Sequence, residues 1–268
     1  MTDWLRVCRV AAGAVAEALD SLPTRVEREP GLGAGEGGDE TTAVDAAAEA
    51  AVVEVLEGVS GGFTLVSEEL GLRSFGDGGD GLTVVCDPID GSLNAKRGIP
   101  FFSLSLAIAS GPRMEDVDLG FVHDFGSGEE WVARGGRGAF LNDVLLDGPG
   151  PKDRVEILSL EATRTDLVAD YAAGLVGFAH RTRVMGSLAL SLCHLAAGRV
   201  DAVVSLKPAR SVDIAAAQLL VRERGLAIDL PEAPPFLAAP LDLGARSRVV
   251  AAGTPELCAE LHARLDPE

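Results

Sequence analysis

Residues 84–92 read Val-Val-Cys-Asp-Pro-Ile-Asp-Gly-Ser. The opening residues are those of a buried strand, and Pro88, which has no N–H to give a ladder, is expected to break it. Two carboxylates, Asp87 and Asp90, then stand at the broken end, and Gly91 lets the backbone turn tightly. Ser92 can cap the helix or turn that follows, leaving N–H groups pointing outward. Carboxylates beside outward N–H groups are compatible when cations sit on the first and an anion on the second. Metal-dependent chemistry on a phosphate needs that combination.

The bulk of the chain is compatible with such a site. Its 268 residues are 47% hydrophobic, enough for one large core or two smaller ones. The formal net charge of −18 makes nucleic acid and anionic membrane poor partners. A phosphorylated small molecule then needs metal ions or local cations to approach. Lysine is scarce (Lys96, Lys152, Lys207), so arginine carries most of the positive charge. Cys8, Cys86, Cys193 and Cys258 lack metal-ligand spacing and are expected to be buried free thiols. No signal peptide or membrane-length apolar run is visible, and a cytoplasmic location is expected.

Apolar spacing predicts a helix over residues 3–22, ended by Pro23. Residues 27–39 are glycine-rich without a period and are expected to form a loop, either a lid or a plain connection. Thr41 or Thr42 caps a second helix, on which Asp45 and Glu49 lie one turn apart, by themselves the mark of a solvated face. A short strand over residues 63–67 ends in Glu68-Glu69, a further carboxylate pair at a strand end. Strands are expected over residues 101–109, 118–123, 130–133 and 139–141, with Gly135-Gly136-Arg137-Gly138 as a hairpin turn. Residues 147–153 read as a linker between an N-terminal α+β part, 1–148, and a C-terminal α/β part, 149–268. In the second part, strands are expected at 155–160, 200–206, 227–230 and 248–252. Helices are expected at 164–173, 187–197 and 211–223, with Pro255 opening the last.

Glu68-Glu69 followed by Asp87-Pro88-Ile89-Asp90-Gly91-Ser92 resembles the N-terminal signatures of the inositol monophosphatase superfamily, magnesium-dependent, lithium-sensitive phosphomonoesterases that include fructose-1,6-bisphosphatase. Val212-Asp213-Ile214-Ala215-Ala216-Ala217 resembles the third signature. The runs from Trp131 to Ala139 and from Gly186 to Leu190 are similar as well. The resemblance implies a layered α-β-α-β-α sandwich and hydrolysis of a sugar or polyol phosphate, inositol-1-phosphate or fructose-1,6-bisphosphate. It implies two or three Mg²⁺ ions, with Glu68, Asp87 and the Ile89 carbonyl on the first and Asp87, Asp90 and Asp213 on the second. Asp45 would lie near a third. The attacking water would sit on the first ion, oriented by Glu68 and the Ser92 hydroxyl, for in-line displacement. Gly91 and Ser92 would hold the phosphate through their N–H groups, with Asp90, Gly186 and Ser187 close to the substrate. Asp39 and Thr42 belong to the segment that closes on the site. The resemblance also implies a homodimer.

The chain departs from the commoner pattern in places. Ala34, Gly35 and Glu36 occupy the region of a frequent lysine, and Val212 replaces a tryptophan. The run from Ser205 to Asp213 is more similar to archaeal members that act on both substrates, and Lys207 or Arg210 is a candidate for a second phosphate. The alternatives are a 3′(2′),5′-bisphosphate nucleotidase, for which 4% aromatics offer no obvious base-stacking pair, and an inactive regulatory homologue, against which the full ligand set argues.

Overall fold

The computed structural model describes residues 2–36, 40–77, 81–148, 152, 154–161, 164–233 and 235–265. Its helices are α1 (Trp4–Asp20), α2 (Arg25–Arg28), α3 (Ala43–Glu57), α4 (Ser92–Arg97), α5 (Thr165–Ala172), α6 (Leu188–Ala196), α7 (Ser211–Glu223) and α8 (Pro255–Leu265). The first ten strands are β1 (Gly31–Ala34), β2 (Glu40–Thr42), β3 (Phe63–Ser67), β4 (Gly71–Phe75), β5 (Thr83–Asp90), β6 (Ser103–Ala109), β7 (Val117–Asp124), β8 (Glu130–Arg134), β9 (Gly138–Leu141) and β10 (Val144–Leu145). The remaining five are β11 (Val155–Glu161), β12 (Ala179–Arg183), β13 (Ala202–Ala209), β14 (Ala227–Asp229) and β15 (Ser247–Ala252).

Two large sheets result. One has eight strands in the order β10-β9-β8-β7-β6-β5-β3-β4, the other five in the order β12-β11-β13-β15-β14. The first is antiparallel except where β3 runs parallel to β5. In the second, β11 lies parallel to β12 and β13, while β15 runs antiparallel to β13 and β14. Strand β6 is buried at every position because helices cover both faces of its sheet, which is why it reads as a continuous apolar run rather than an alternating one.

The layers follow from three apolar clusters. α1 places Cys8, Ala11, Ala12, Val15 and Leu19 at helical spacing and, with α3, buries the outer face of the eight-stranded sheet. α6 and α7 fill the space between the two sheets in a cluster that draws on residues from both, Val66 and Val249 among them. α8 covers the outer face of the five-stranded sheet through Cys258 and Leu261. The order is helix, sheet, helix, sheet, helix, the sandwich expected from sequence. All four cysteines are buried and free. Among the described residues no helix is long and apolar enough to cross a membrane.

Several local readings change. Strand β5 does not stop at Pro88; it continues to Asp90 through a register shift between Asp87 and Asp90. At such a bulge the missing N–H of proline costs no ladder bond. The glycine-rich segment expected to be a loop, 27–39, overlaps the end of α2 and carries β1, which pairs with β2 just beyond it. Asp45 and Glu49 are both buried, not solvated. The sequence reading missed β4 and the edge strand β12, whose residues His180–Arg183 are all exposed and so carry no apolar signal.

The glycine turn between β8 and β9 holds a carboxylate. The N–H groups of Gly136 and Gly138 each donate to Glu223 at 2.8 Å, pinning the last turn of α7 to the hairpin. Glu223→Ala is expected to lower stability by about 1–2 kcal/mol, the usual contribution of hydrogen bonds to a partly exposed charged group. Chemical denaturation followed by circular dichroism measures this, and an unchanged midpoint would show the pin to be idle.

Candidate active site

Three carboxylates converge from three elements. Glu68 follows directly on β3, Asp87 lies in the bulge of β5, and Asp213 sits in the first turn of α7. Each offers one oxygen within 4.8 Å of the others. The strands deliver them because β3 and β5 are parallel neighbours, pairing Ser67 with Cys86, so their C-terminal ends lie side by side. α7 starts there because the Asp213 side chain accepts the N–H of Arg210 at 2.7 Å, capping its own helix.

The charges are poorly solvated. Asp87 is buried, and the side chains of Glu68 and Asp213 are only 13% and 15% exposed. Burial, then the Asp213 charge, push the Glu68 carboxyl up to about 8. Burial, Glu68 and Asp90 hold Asp87 well above the carboxylate range. Arg210 acts against this. Its Nη2 donates to Glu68 Oε1 at 2.5 Å and to Asp213 Oδ1 at 3.2 Å. Arg210 therefore faces the carboxylates, because the local density of negative charge draws its guanidinium inward.

Asp90 stands apart from that trio. Its Oδ2 accepts from Ser187 Oγ at 2.5 Å and from the N–H of Ala189 at 2.7 Å, at the start of α6. Ser187 is the cap of that helix, accepting from the N–H of Leu190. Burial raises the Asp90 carboxyl to about 7 and the Ser187 bond works against the rise. Ser92 does not cap α4; Gly91, at φ 97°, takes that place. The Ser92 hydroxyl instead donates to the Ile89 carbonyl at 3.0 Å, and the Ile89 N–H donates to Asp87 Oδ1 at 3.0 Å.

Gly91 packs close to the Gly186 carbonyl, and Gly186 packs against the Asn94 side chain. Both have φ values of 90° or more on the positive side, and a Cβ on Gly91 would lie 3.1 Å from the Gly186 carbonyl. Asn94 fixes the approach by donating to the carbonyls of Phe101 and Met185 at 2.8 and 2.7 Å.

The β1–β2 hairpin leans on the same region. Thr41 Oγ1 donates to the Glu69 carboxylate, and the Glu36 N–H donates to the Glu69 carbonyl. Thr42 is buried and its Oγ1 donates to Asp45 Oδ2 at 2.5 Å, in a reciprocal cap of α3. Asp45 Oδ1 is buried with no hydrogen-bond partner among the described residues. Asp39 lies outside the described residues. Lys207 is half-buried on β13, three residues before Arg210.

Of two further acidic residues, Glu161 escaped the sequence reading and Glu49 was expected on a solvated face. Glu161 ends β11 and accepts from Ser191 Oγ at 2.7 Å and from the Gly186 N–H at 2.9 Å, so it fixes the turn that faces Gly91. Its signal was the one that exposed Glu68, a carboxylate closing an apolar strand. Glu49 on α3 receives Ser67 Oγ at 2.7 Å on both oxygens.

A metal fits the donor set. Every ligand atom offered is an oxygen, the three oxygens are close enough to share one ion, and a partnerless oxygen of Asp45 lies buried on α3 beside the cap at Thr42. Hard carboxylates gathered where strand ends meet a helix start are a donor set for a hard divalent cation. The comparisons define the protein further. The model of the inositol monophosphatase family matches residues 3–266. A relative from Methanothermobacter thermautotrophicus, named fructose-1,6-bisphosphatase/inositol-1-monophosphatase, is 35% identical over 232 residues, covering 83% of this chain and 82% of its own. A relative from Pasteurella multocida, named Nus factor SuhB, is 33% identical over 230 residues, covering 82% of this chain and 81% of its own. The crystal structure of an inositol monophosphatase-fructose 1,6 bisphosphatase superimposes with a TM-score of 0.83 at 26% identity, covering 98% of this chain and 100% of that one. The chain belongs to the inositol monophosphatase family. It is a phosphoric monoester hydrolase, and its family is metal-dependent.

Glu49 gives a pH test. Burial raises its carboxyl from 4.5 to about 7. Between those values the folded state holds a proton that the unfolded chain has released. The stability contributed is complete below pH 4.5 and disappears as the pH rises through 7. In metal-free protein, Glu49→Gln is therefore expected to raise the melting temperature at pH 8 and to change it little at pH 4.5. An equal change at both pH values, read by calorimetry, would contradict the burial argument.

Proposed function

We propose that the protein is a Mg²⁺-dependent phosphatase whose substrates are inositol-1-phosphate and fructose-1,6-bisphosphate. The observation that carries this reading is the convergence of Glu68, Asp87 and Asp213 on one point, in a chain whose archaeal relatives are named for those two activities. An all-oxygen set without histidine or cysteine favours Mg²⁺ over softer ions. Two ions, and a third beside Asp45, complete the proposal.

Bound there, the ions would withdraw charge from the phosphoryl group and acidify nearby water. The remaining work falls to the chain. Glu68, Asp87, the Ile89 carbonyl, Asp90 and Asp213 hold the cations. The Ser92 hydroxyl, donating to the Ile89 carbonyl, fixes that ligand, and Ser187 with the Ala189 N–H fixes Asp90. Gly91 and Ser92 present N–H groups to the phosphate, with Gly186 and Ser187 opposite them. Asp39 and Thr42 belong to the segment that closes the site. Lys207 holds a second phosphate when the substrate has one, Arg210 being bonded to Glu68 and Asp213. The cleft between parts 1–148 and 149–268 admits the sugar. A cytoplasmic homodimer completes the reading; the net charge of −18 supports the absence of nucleic-acid and anionic-membrane partners.

The test is phosphate release from inositol-1-phosphate, fructose-1,6-bisphosphate and phosphoadenosine phosphate, with and without Mg²⁺. Turnover of the first two that chelation abolishes is expected; no release from any of the three rejects the proposal. Asp87→Asn is expected to cost more than about 100-fold in kcat, since loss even of a group behind a ligand costs up to that much. The circular dichroism spectrum should be unchanged, and near-wild-type turnover would remove Asp87 from the site.

Lys207→Ala distinguishes the two substrates. Loss of one charged hydrogen bond to phosphate is expected to raise KM for fructose-1,6-bisphosphate about 10-fold and to leave KM for inositol-1-phosphate near its starting value. Equal effects on both would assign Lys207 no part in second-phosphate binding.

A further inference from the structure

Arg210 lies where its charge matters most. Its side chain is 7% exposed, and its Nη2 bridges Glu68, at the end of β3, to Asp213, in the first turn of α7. With Asp87 these are three carboxyl groups in a poorly solvated space, and Arg210 supplies the positive charge that offsets their ionisation. A divalent cation binds the ionised forms, and three carboxylates against one guanidinium leave a net charge of −2 to hold it. An ion approaching the same oxygens meets a fixed guanidinium first.

We propose that Arg210 is a resident counter-ion: it holds the three carboxylates together in the metal-free protein and competes with the incoming cation, so that it sets how tightly the first metal binds. This rests on the reading of Glu68, Asp87 and Asp213 as metal ligands. The physics gives Arg210 two effects of opposite sign. In metal-free protein, removing it leaves the carboxylates to repel one another across the gap between β3, β5 and α7. In metal binding, removing it abolishes repulsion between two cations. At an effective dielectric of about 20, a neighbouring positive charge a few ångström away shifts an equilibrium by well over tenfold, and loss of the bridge between Glu68 and Asp213 offsets part of that. A residue that only braced the site would weaken both properties together.

The experiment uses the full chain, stripped with a chelator, as wild type, Arg210→Met and Arg210→Lys. Thermal melting reads the metal-free fold, and titration calorimetry with MgCl₂ and with MnCl₂ reads affinity. Arg210→Met is expected to melt at a lower temperature without metal and to bind both ions about 10-fold or more tightly than wild type. Arg210→Lys, which keeps the charge, should stay near wild type in affinity. If Arg210→Met does not fold, Arg210→Gln, which keeps a donor for Glu68 but no charge, gives the affinity comparison. Affinity equal to or weaker than wild type in the neutral variant overturns the counter-ion role while leaving the metal site intact. Failure of the wild type to bind either ion overturns the metal site itself, and the inference with it.

Discussion

The repulsion among Glu68, Asp87 and Asp213 is the constraint on which the rest of the structure depends. Oxygens within 4.8 Å of one another, at an effective dielectric of about 20, oppose each other by roughly 3 kcal/mol for each ionised pair. No local preference of β3, β5 or α7 would assemble them. The assembly persists because the elements carrying them are locked by apolar burial elsewhere. The parallel pairing of β3 with β5 and the packing of α7 between the sheets fix the three positions before the charges are considered. Positive charge, whether from Arg210 or from bound metal, then relieves strain that the hydrophobic layers have imposed.

The same logic explains how the polar groups around the trio are arranged. Each carboxylate that could add to the repulsion is held by donors from a different element. Asp90 is taken by Ser187 and Ala189, Glu161 by Ser191 and Gly186, Glu49 by Ser67, and Asp45 by Thr42. Buried carboxylates at this density need hydrogen bonds, and each of these four has at least one oxygen bonded, with Asp45 Oδ1 left without a partner among the described residues. The carboxylates thus act as fasteners between helices and strands as well as chemical groups.

Much of this was legible in the sequence where the signal was local. Glu68 and Asp87 announced themselves as carboxylates closing apolar strands, while Asp213 was legible only through the resemblance of residues 212–217 to a family signature. The alternating strands of the larger sheet and the helices of the second half were found by local signals as well. What escaped was decided by tertiary contact. Asp45 and Glu49 read as a wet face, because nothing in α3 reveals that Ser67 and the cap at Thr42 will bury them. β12 was invisible because its exposed side chains gave no alternation. Pro88 read as a strand end, since a bulge depends on the partner strand β6. Glu161 was a different failure: the strand-end signal was there and was not applied. The direction of the Arg210 side chain, set by the field of three carboxylates, is not encoded within its own stretch.

Asp90 belongs to the chain segment of the larger sheet, yet its Oδ2 is fastened to the first turn of α6, and beside it Gly91 and Gly186 touch with no side chain between them. That contact has a mechanical meaning. A hinge movement opening the two sheets from each other would have to tear Asp90 from Ser187 and from the Ala189 N–H, at the site itself. The bonds that shape the site are thus the same ones that tie the larger sheet to α6. The β1–β2 hairpin is attached separately, through the bonds of Thr41 and the Glu36 N–H to Glu69.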